Sequence, residues 1–237
     1  MPPTERVTLD QLSRLLPDAA LPPLSDAEIF VLTAHLRLLD AWNPAINLTR
    51  ISDPHERAAR HLLDSLIAVP HIEQLLPPGG AIADLGSGGG FPGIPLAARL
   101  LSHRLDLSMT LIESIGKKAR FLDAVVAASG LSPRLCVAHA RAEELAQGGG
   151  IHFDVVTARA VAPLGELIRL VTPLLSVNGS LLAWKRIGEE WDAELSTASS
   201  LVGMNVIQVF EVGSSRLPGA LLVRVTPHKT EGALAQV

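Results

Sequence analysis

Residues 82–93 read Ile82-Ala83-Asp84-Leu85-Gly86-Ser87-Gly88-Gly89-Gly90-Phe91-Pro92-Gly93, a short apolar run that leads directly into a cluster of glycines. The apolar run is typical of a buried strand, and the prolines that follow it fit the first turn of a helix, where backbone N–H groups have no partner within the helix. Glycines between a strand and a helix let the backbone turn sharply and approach a ligand closely. We call Gly86–Gly93 the glycine loop and interpret it as a ligand-binding loop at the carboxyl end of the first strand.

Beyond this loop, short apolar runs alternate with longer segments of helical periodicity. Strands are predicted at Ala81–Leu85, Met109–Ile112, Leu135–Ala138, Phe153–Ala158, Ser180–Trp184, Val206–Val212 and Leu221–Val225. Helices are predicted to begin near Pro92, Ile115, Ala142, Pro163 and Gly188. This alternation predicts an α/β fold with an open, seven-stranded, mainly parallel sheet. No helix separates the last two strands, so the terminal strand is predicted to run antiparallel beside its predecessor.

Residues 1–78 have a different pattern and are predicted to form a helical extension packed on the core. Apolar residues recur with a helical period after Asp26, and Asn43-Pro44 is predicted to end this helix. A second helix is predicted from Pro54 to Val69, because proline suits the first helical position and Pro70 follows.

Composition limits the class of protein. Hydrophobic residues make up 48% and charged residues 19%, which suits a sizeable core and excludes a disordered chain. The single cysteine, Cys136, excludes an intrachain disulfide and a multi-cysteine zinc site; it lies in a predicted strand and is expected to be a small core residue. The histidines show no ligand spacing, so no metal is predicted. Residues 1–16 do not resemble a signal peptide and no apolar stretch could span a membrane, which predicts a cytoplasmic protein with no membrane partner.

Two classes of ligand fit the glycine loop. Gly88-x-Gly90-x-x-Gly93 formally matches the dinucleotide fingerprint, with Glu113 about 20 residues further on. Asp84 argues against a dinucleotide, because a carboxylate at the strand end would face a pyrophosphate. The same carboxylate suits S-adenosylmethionine, which carries a sulfonium and an ammonium and has no phosphate. The pattern therefore favours a methyltransferase over an NAD-dependent oxidoreductase, and a non-catalytic nucleotide-binding module also stays open.

Residues that follow the other predicted strands extend the candidate site. Glu113 ends the second strand, where it is placed to accept two hydrogen bonds from ribose hydroxyls. After the third strand, the Ala142 N–H is predicted to meet a ring nitrogen of adenine, and Glu143 to accept from the exocyclic amine. Arg159 follows the fourth strand and is predicted to bind a cofactor carboxylate or an RNA phosphate. The alternatives are structural: a surface carboxylate for Glu113, a helix-dipole partner for Glu143 and an ion pair for Arg159.

Several motifs occur in an order that resembles one known family. They are Trp42-Asn43-x-x-x-Asn47-Leu48-Thr49, Arg60-His61-x-x-Asp64-Ser65, Phe91-Pro92-Gly93-Ile94-Pro95, Glu113-Ser114-x-Gly116-Lys117-Lys118, Phe121-Leu122, Ala158-Arg159-Ala160 and Lys185. Over about residues 25–225 the chain resembles the RsmG (GidB) family of 16S rRNA guanine-N7 methyltransferases. The resemblance implies a Rossmann-like class I methyltransferase domain at residues 79–237. It also implies S-adenosylmethionine as methyl donor, and a guanine in the 530 loop of 16S rRNA, free or in the small ribosomal subunit, as acceptor.

The same resemblance implies roles for single residues. Gly86 and Phe91 are expected to contact the methionine end of the cofactor, and Gly88 is expected to bind it as well. Ala142, Glu143 and Arg159 keep the cofactor-side roles given above. Gly89 departs from the family pattern, since relatives often have proline there. No residue is assigned as a catalytic base, because guanine N7 has an in-plane lone pair and no proton, so alignment is the main task of the enzyme.

The charge distribution requires a local binding patch for RNA. The net charge is −4: residues 1–80 hold 6 basic and 10 acidic side chains, which leaves 14 of the 20 basic and 14 of the 24 acidic for the rest. Such a chain binds nucleic acid through a patch and not through bulk charge. Basic residues after the second and fifth strands are predicted to contact phosphates: Lys117, Lys118, Lys185 and Arg186. Three arginines of the extension are candidates to enlarge the patch: Arg50, Arg57 and Arg60.

Overall fold

The computed structural model describes residues 3–201, 205–212 and 216–227. The strands are β1 Ala81–Leu85, β2 Ser108–Ile112, β3 Leu135–Ala138, β4 Phe153–Arg159, β5 Leu175–Arg186, β6 Asn205–Glu211 and β7 Ala220–Pro227. The helices are α1 Thr4–Leu15, α2 Asp26–Ile46, α3 Pro54–Arg57, α4 Asp64–Leu66, α5 Val69–Glu73, α6 Gly93–His103, α7 Gly116–Ser129, α8 Ala142–Gly148, α9 Leu164–Val171 and α10 Trp191–Leu201. A π-helical segment, Ala58–Leu63, joins α3 to α4.

The seven strands form one sheet in the order β3-β2-β1-β4-β5-β7-β6. Strands β1 to β5 pair in parallel, and β7 runs antiparallel to both β5 and β6. The predicted α/β fold with a mainly parallel, seven-stranded sheet and an antiparallel final strand is confirmed. Strand β7 lies between β5 and β6 and not at the edge of the sheet. The strand order reverses between β1 and β4, and in such sheets ligands bind beyond the carboxyl ends of the strands at this point.

Two apolar clusters cover the two faces of the sheet, because successive strand residues point to opposite sides. Ile82 belongs to a cluster with residues of α1, α2, α6 and α7, including Leu12 and Leu32 of the extension. Ala83 belongs to the other cluster, with residues of α8, α9 and α10. The extension therefore shares a core with the sheet. The domain division between residues 78 and 79 stays a prediction, and residues 228–237 of the predicted domain lie outside the described residues.

Two predicted helix ends in the extension are wrong. Helix α2 continues through Pro44 to Ile46, and it ends at Asn47, whose φ is +53° and whose N–H donates to the Asn43 carbonyl. A proline in the last turn removes one hydrogen bond, but the end itself is fixed by a residue that adopts the left-handed conformation. Pro70 lies in the first turn of α5, where its missing N–H costs no helical bond.

The expectation that Cys136 is a core residue is also wrong. Its strand, β3, forms the edge of the sheet, and the thiol is exposed. The type of strand is visible in the sequence, but its position in the sheet depends on which strands pair, and a short edge strand leaves side chains uncovered.

We expect Gly93→Ala to destabilise the fold. A Cβ at Gly93 would lie 2.5 Å from Leu111 Cδ2 and 2.6 Å from Asp84 Oδ2, both buried, so the free energy of unfolding should fall by about 1–3 kcal/mol. Gly148→Ala is the matched control, since a Cβ at Gly148 meets no atom within 4 Å and should change stability by less than about 1 kcal/mol. Urea unfolding of both variants measures the difference. Equal stability of the two would contradict the close packing at Gly93.

Candidate cofactor and acceptor site

The glycine loop has a backbone conformation that glycine permits. Gly86, Gly88 and Gly90 have φ values of +70°, +54° and +87°, in the left-handed region. The N–H groups of Gly86 and Ser87 both donate to the Ile112 carbonyl at the end of β2, at 2.9 and 3.1 Å. The loop is thereby held at the carboxyl edge of the sheet.

Asp84 is buried beneath the glycine loop and does not face the ligand crevice. Its Oδ1 accepts a hydrogen bond from Thr157 Oγ1 at 2.7 Å, and its Oδ2 accepts from Gly93 N at 3.1 Å. Burial raises the pKa of this carboxyl to about 6. The interpretation that Asp84 repels a pyrophosphate is therefore wrong. The side chain shares a sheet face with Ile82, and the start of α6 covers that face, so the carboxylate points under the loop.

Glu113 links the glycine loop to the start of α7. Its Oε2 accepts from Gly88 N at 2.9 Å, its Oε1 accepts from Ile115 N at 2.8 Å, and the residue is buried. Each carboxylate oxygen has a second lone pair for a ligand hydroxyl, so the chemistry of this position fits a ribose. The structure thus brings Gly86, Gly88 and Glu113 together, as the sequence suggested.

The two candidate adenine contacts lie one strand further along the same edge. Ala142 is the buried first residue of α8, and Glu143 is exposed in the first turn of that helix. The adjacent position of β2 and β3 places the start of α8 beside the loop after Glu113. Binding of a cofactor by Ala142 and Glu143 stays a prediction.

Phe91 is the centre of a ring cluster that joins the glycine loop to the extension. The His61 ring stacks on it with centroids 4.3 Å apart and planes at 16°, and the His35 ring lies 4.7 Å from it. Arg159 Cζ lies 5.8 Å from the centre of the Phe91 ring. Phe91 is buried, so the extension covers the side of the loop where the methionine end of a cofactor is expected.

His35 fixes the loop backbone from the extension side. Its Nε2 lies 2.8 Å from the Gly89 carbonyl oxygen, and because a carbonyl only accepts, Nε2 carries the proton. Burial lowers the pKa of His35 to about 4, so the ring is neutral near pH 7. A Cβ at Gly90 would lie 2.7 Å from His35 Nε2, which leaves room for glycine alone.

Arg159 is paired with an acid of the extension. Its Nη1 donates to Asp64 Oδ2 at 2.9 Å and to the Arg60 carbonyl at 3.1 Å. Beside it, His61 Nε2 lies 2.7 Å from Thr49 Oγ1, and burial together with the Arg159 charge lowers the pKa of His61 to about 3. Burial also raises the pKa of Asp64, while Arg159 acts in the opposite direction.

An open crevice of about 1260 Å³ lies between the extension and the carboxyl ends of β4 and β5. Six cationic side chains line it, against two acids, Glu56 and Asp64. The six are Arg50, Arg60, Lys118, Arg159, Lys185 and Arg186. The sign of this charge is opposite to that of the whole chain, and it suits the local phosphate-binding patch that the sequence requires.

Three of the four basic residues predicted to contact phosphates line this crevice, and the fourth does not. Lys118, Lys185 and Arg186 line it, whereas Lys117 is exposed on α7 and is not part of the lining. Arg57 does not join the patch, because its side chain is buried, pairs with an aspartate of α2 and donates to the Ile51 carbonyl. The expectation for Arg57 is therefore wrong.

Asp64 and His61 are site residues for which no role is predicted from the sequence. Both lie within the Arg60-His61-x-x-Asp64-Ser65 motif. His61 lies in the π-helical segment Ala58–Leu63, immediately before Asp64, and such segments are frequent at functional sites. The sequence carried no signal for the π-helix. The motif itself was the signal that could have singled out these two residues.

Neither a metal site nor a membrane-spanning helix occurs within the part of the chain that the structure describes. No group of three or more His, Cys, Asp or Glu side chains there is arranged to hold a metal ion. No helix there combines the length and apolar character needed to cross a membrane.

The sheet order, the glycine loop at the strand reversal and the antiparallel β7 define a Rossmann-like class I methyltransferase fold. The model of the family described as rRNA small subunit methyltransferase G (GidB) matches residues 29–217, and the chain belongs to this family. Relatives named ribosomal RNA small subunit methyltransferase G include one from Leptothrix cholodnii, 38% identical over 83% of this chain and 84% of its own. Another, from Halorhodospira halophila, is 48% identical over 70% and 74%.

Solved structures support the fold. The O-methyltransferase from Bacillus cereus in complex with SAH superposes with a TM-score of 0.59 at 15% identity, over 90% of this chain and 96% of that one. A putative rRNA methylase from Clostridium thermocellum gives 0.52 at 12% identity, over 69% and 95%. Family membership favours the methyltransferase among the interpretations that the glycine loop left open.

We expect His35→Gln to flatten the pH dependence of stability. In the unfolded chain a histidine binds a proton below about pH 6.5, whereas buried His35 does so only near pH 4, so His35 makes stability fall as the pH falls through that range. Glutamine keeps a donor for the Gly89 carbonyl but does not titrate. Between pH 7 and pH 5 the variant should lose about 2 kcal/mol less than the wild type in urea unfolding.

His55→Gln, which removes an exposed histidine of α3, is the control for the loss of a histidine side chain as such. An identical pH dependence of His35→Gln and the wild type would show that His35 is not held neutral.

Proposed function

We propose that the protein transfers the methyl group of S-adenosylmethionine to N7 of a guanine in the 530 loop of 16S rRNA. Family membership supports this proposal. The observation that supports it most directly is the contact between Phe91 and Arg159, because the loop predicted to bind the cofactor thereby adjoins the cationic crevice, a surface suited to RNA. A ribosomal substrate agrees with the cytoplasmic location expected from the sequence.

The cofactor would lie along the carboxyl ends of β1, β2 and β3. Gly86, Gly88 and Phe91 would hold its methionine end, and Glu113 would accept from the ribose hydroxyls. Ala142 and Glu143 would bind the adenine. The bound cofactor supplies a methyl group activated on a sulfonium, and the buried Phe91 excludes water from the side of the extension.

The RNA would enter the crevice with its phosphates on the cationic side chains. Guanine N7 attacks with an in-plane lone pair and loses no proton, so this chain need not provide a general base. Its work is to align the nucleophile with the methyl carbon and the sulfur. The rigid contacts of Arg159 with Asp64 and of His35 with the Gly89 carbonyl serve that alignment, because they fix the crevice relative to the loop.

Methylation of small ribosomal subunits and of free 16S rRNA, both lacking the modification, tests the proposal. We expect transfer of labelled methyl from S-adenosylmethionine to one guanine, mapped by cleavage at N7-methylguanine. Calorimetry with S-adenosylmethionine and with NAD should give binding of the first alone. Binding of NAD alone, or cofactor binding without methylation of either RNA form, would contradict the proposal.

We expect Glu113→Ala to weaken S-adenosylmethionine binding by about 1–3 kcal/mol. The substitution removes the ribose acceptor and also the acceptor that holds Gly88 N, and hydrogen bonds to a charged group are worth about this much. Calorimetry gives the affinity, and a thermal melt verifies folding. Glu166→Ala, an exposed carboxylate on α9, is the control. A folded Glu113→Ala protein with wild-type affinity would remove Glu113 from the cofactor site.

Lys118→Ala should weaken RNA binding and lower its salt dependence by about one counterion, because a phosphate contact releases a counterion. Lys117→Ala should have little effect, since the Lys117 side chain lies outside the crevice. Binding of 16S rRNA fragments across a salt series measures both, and calorimetry should show unchanged cofactor affinity. Equal effects of the two lysines would mean that α7 contacts RNA through its exposed face instead of the crevice.

A further inference from the structure

We propose that Asp64 recognises the Watson–Crick edge of the acceptor guanine and favours the transition state of methyl transfer. In this arrangement its carboxylate accepts from the guanine N1–H and the exocyclic N2 amine. The assignment rests on the proposed function and extends it from the reaction to the group that selects the base.

Asp64 is held rigidly at the wall of the crevice. Its Oδ2 accepts from Arg159 Nη1 at 2.9 Å, and its main-chain carbonyl accepts from Trp184 Nε1 at 2.7 Å. Its Oδ1 makes no hydrogen bond to any residue that the structure describes. This oxygen is not fully enclosed by protein atoms, so a ligand can reach it. Oδ1 and the second lone pair of Oδ2 therefore remain for a ligand, and a fixed carboxylate of this kind at a binding surface is a preorganised acceptor.

Asp64 is an acid in a crevice lined mainly by cations. A carboxylate at a phosphate-binding surface repels the backbone of RNA, so phosphate binding does not explain its presence there. The other acid of the lining, Glu56, is exposed and lies 3.8 Å from Arg60 in a pair one helical turn apart. Asp64 is fixed, and only one of its two oxygens is hydrogen-bonded. Such an acid suits the N–H groups of a base edge better than it suits a phosphate.

Guanine is the RNA base that such an acceptor selects. Its Watson–Crick edge presents two adjacent donors, N1–H and the N2 amine. Adenine and cytosine each present one amine donor next to a ring-nitrogen acceptor, and uracil presents one N–H between two carbonyl acceptors. A carboxylate has two oxygens and donates nothing when ionised, so it matches the guanine edge and opposes the other three.

The same contact bears on the chemistry. N7 lies on the side of the purine away from the N1–N2 edge, so a guanine held by Asp64 presents N7 away from the carboxylate. Arg159, the partner of Asp64, lies against the Phe91 ring of the glycine loop, so this loop is close to the bound base. As the N7 lone pair forms the bond to the methyl carbon, the carbon–sulfur bond breaks with its electrons going to sulfur. The positive charge passes from the sulfonium to the purine. N1–H then becomes a stronger donor, and its bond to Asp64 strengthens in the transition state.

Asp64→Asn separates this role from the pairing of Asp64 with Arg159. Asparagine keeps a carbonyl oxygen for Arg159 but replaces the other oxygen with an NH₂ group, which opposes the donors of guanine. Inosine supplies the complementary change in the RNA, because it lacks the N2 amine and keeps N7 and N1–H. Any difference in the intrinsic reactivity of N7 affects both enzymes equally, so it cancels when the guanosine-to-inosine rate ratio of the variant is compared with that of the wild type.

The experiment uses 16S rRNA with guanosine or inosine at the mapped position, assembled into small subunits, in single-turnover methylation with excess enzyme. The wild type should methylate the guanosine substrate about tenfold or more faster than the inosine one, the ratio expected for one hydrogen bond to a charged group. Asp64→Asn should reduce this ratio to less than about threefold, slow both reactions and keep the wild-type affinity for S-adenosylmethionine. Glu56→Gln, at the other acid of the crevice, should keep the wild-type ratio.

Two results overturn the assignment: a wild type with no preference for guanosine, or an Asp64→Asn variant that keeps the wild-type preference. If the variant methylates both substrates too slowly to measure, the two RNAs are made to compete for binding to it. The guanosine-to-inosine ratio of affinities then replaces the ratio of rates, with the same expected values. A wild type that methylates no rRNA contradicts the proposed function itself, whereas methylation without the predicted change in preference contradicts the role of Asp64 alone.

Discussion

A buried carboxylate, that of Asp84, holds together the elements on which the site depends. It accepts from Gly93 N at the start of α6 and from Thr157 on β4, and so joins β1, the glycine loop and the neighbouring strand. The positive end of the α6 dipole favours the ionised form. Burial nevertheless raises its pKa to about 6, above the value in an unfolded chain, so this carboxyl increasingly opposes folding as the pH rises from about 4 to 6. Its contribution is the defined geometry of the loop, and that geometry leaves no room for a side chain at Gly93.

The helical extension completes the site from the other side. His35 binds the loop carbonyl at Gly89, His61 stacks on Phe91, and Asp64 binds Arg159. All three contacts join the first 78 residues to the carboxyl edge of the sheet, and they lie beside a common apolar core. An extension that was merely attached could move independently of the loop. Here its side chains form part of the loop's packing, so cofactor site and crevice are built as one unit.

Local patterns predicted local structure well. The bounds of β1 and β3, the turn at the glycine loop and the start of α8 follow from apolar runs and glycines in the sequence. Apart from the two helix ends in the extension, the errors depend on partners distant in the chain: Cys136 is exposed because β3 is an edge strand, and Arg57 is buried because it pairs across the extension. The direction of Asp84 depended on which element covers one face of β1. The family motif brought Asp64 to notice, but only the fold places it beside Arg159.

The charges around the crevice have two different physical roles. Lys185 is bonded to Glu194 and the Ala162 carbonyl, and Arg159 to Asp64, so these cations are held in place and shape the wall. Lys118 has no side-chain hydrogen bond or ion pair with the described residues, which leaves its charge for an incoming phosphate. Because the chain carries a net charge of −4, long-range attraction to RNA is weak, and the crevice must select its substrate at short range. At that distance fixed donors and acceptors discriminate between bases and free cations do not, so the ordered pair of Arg159 and Asp64 is where selectivity belongs.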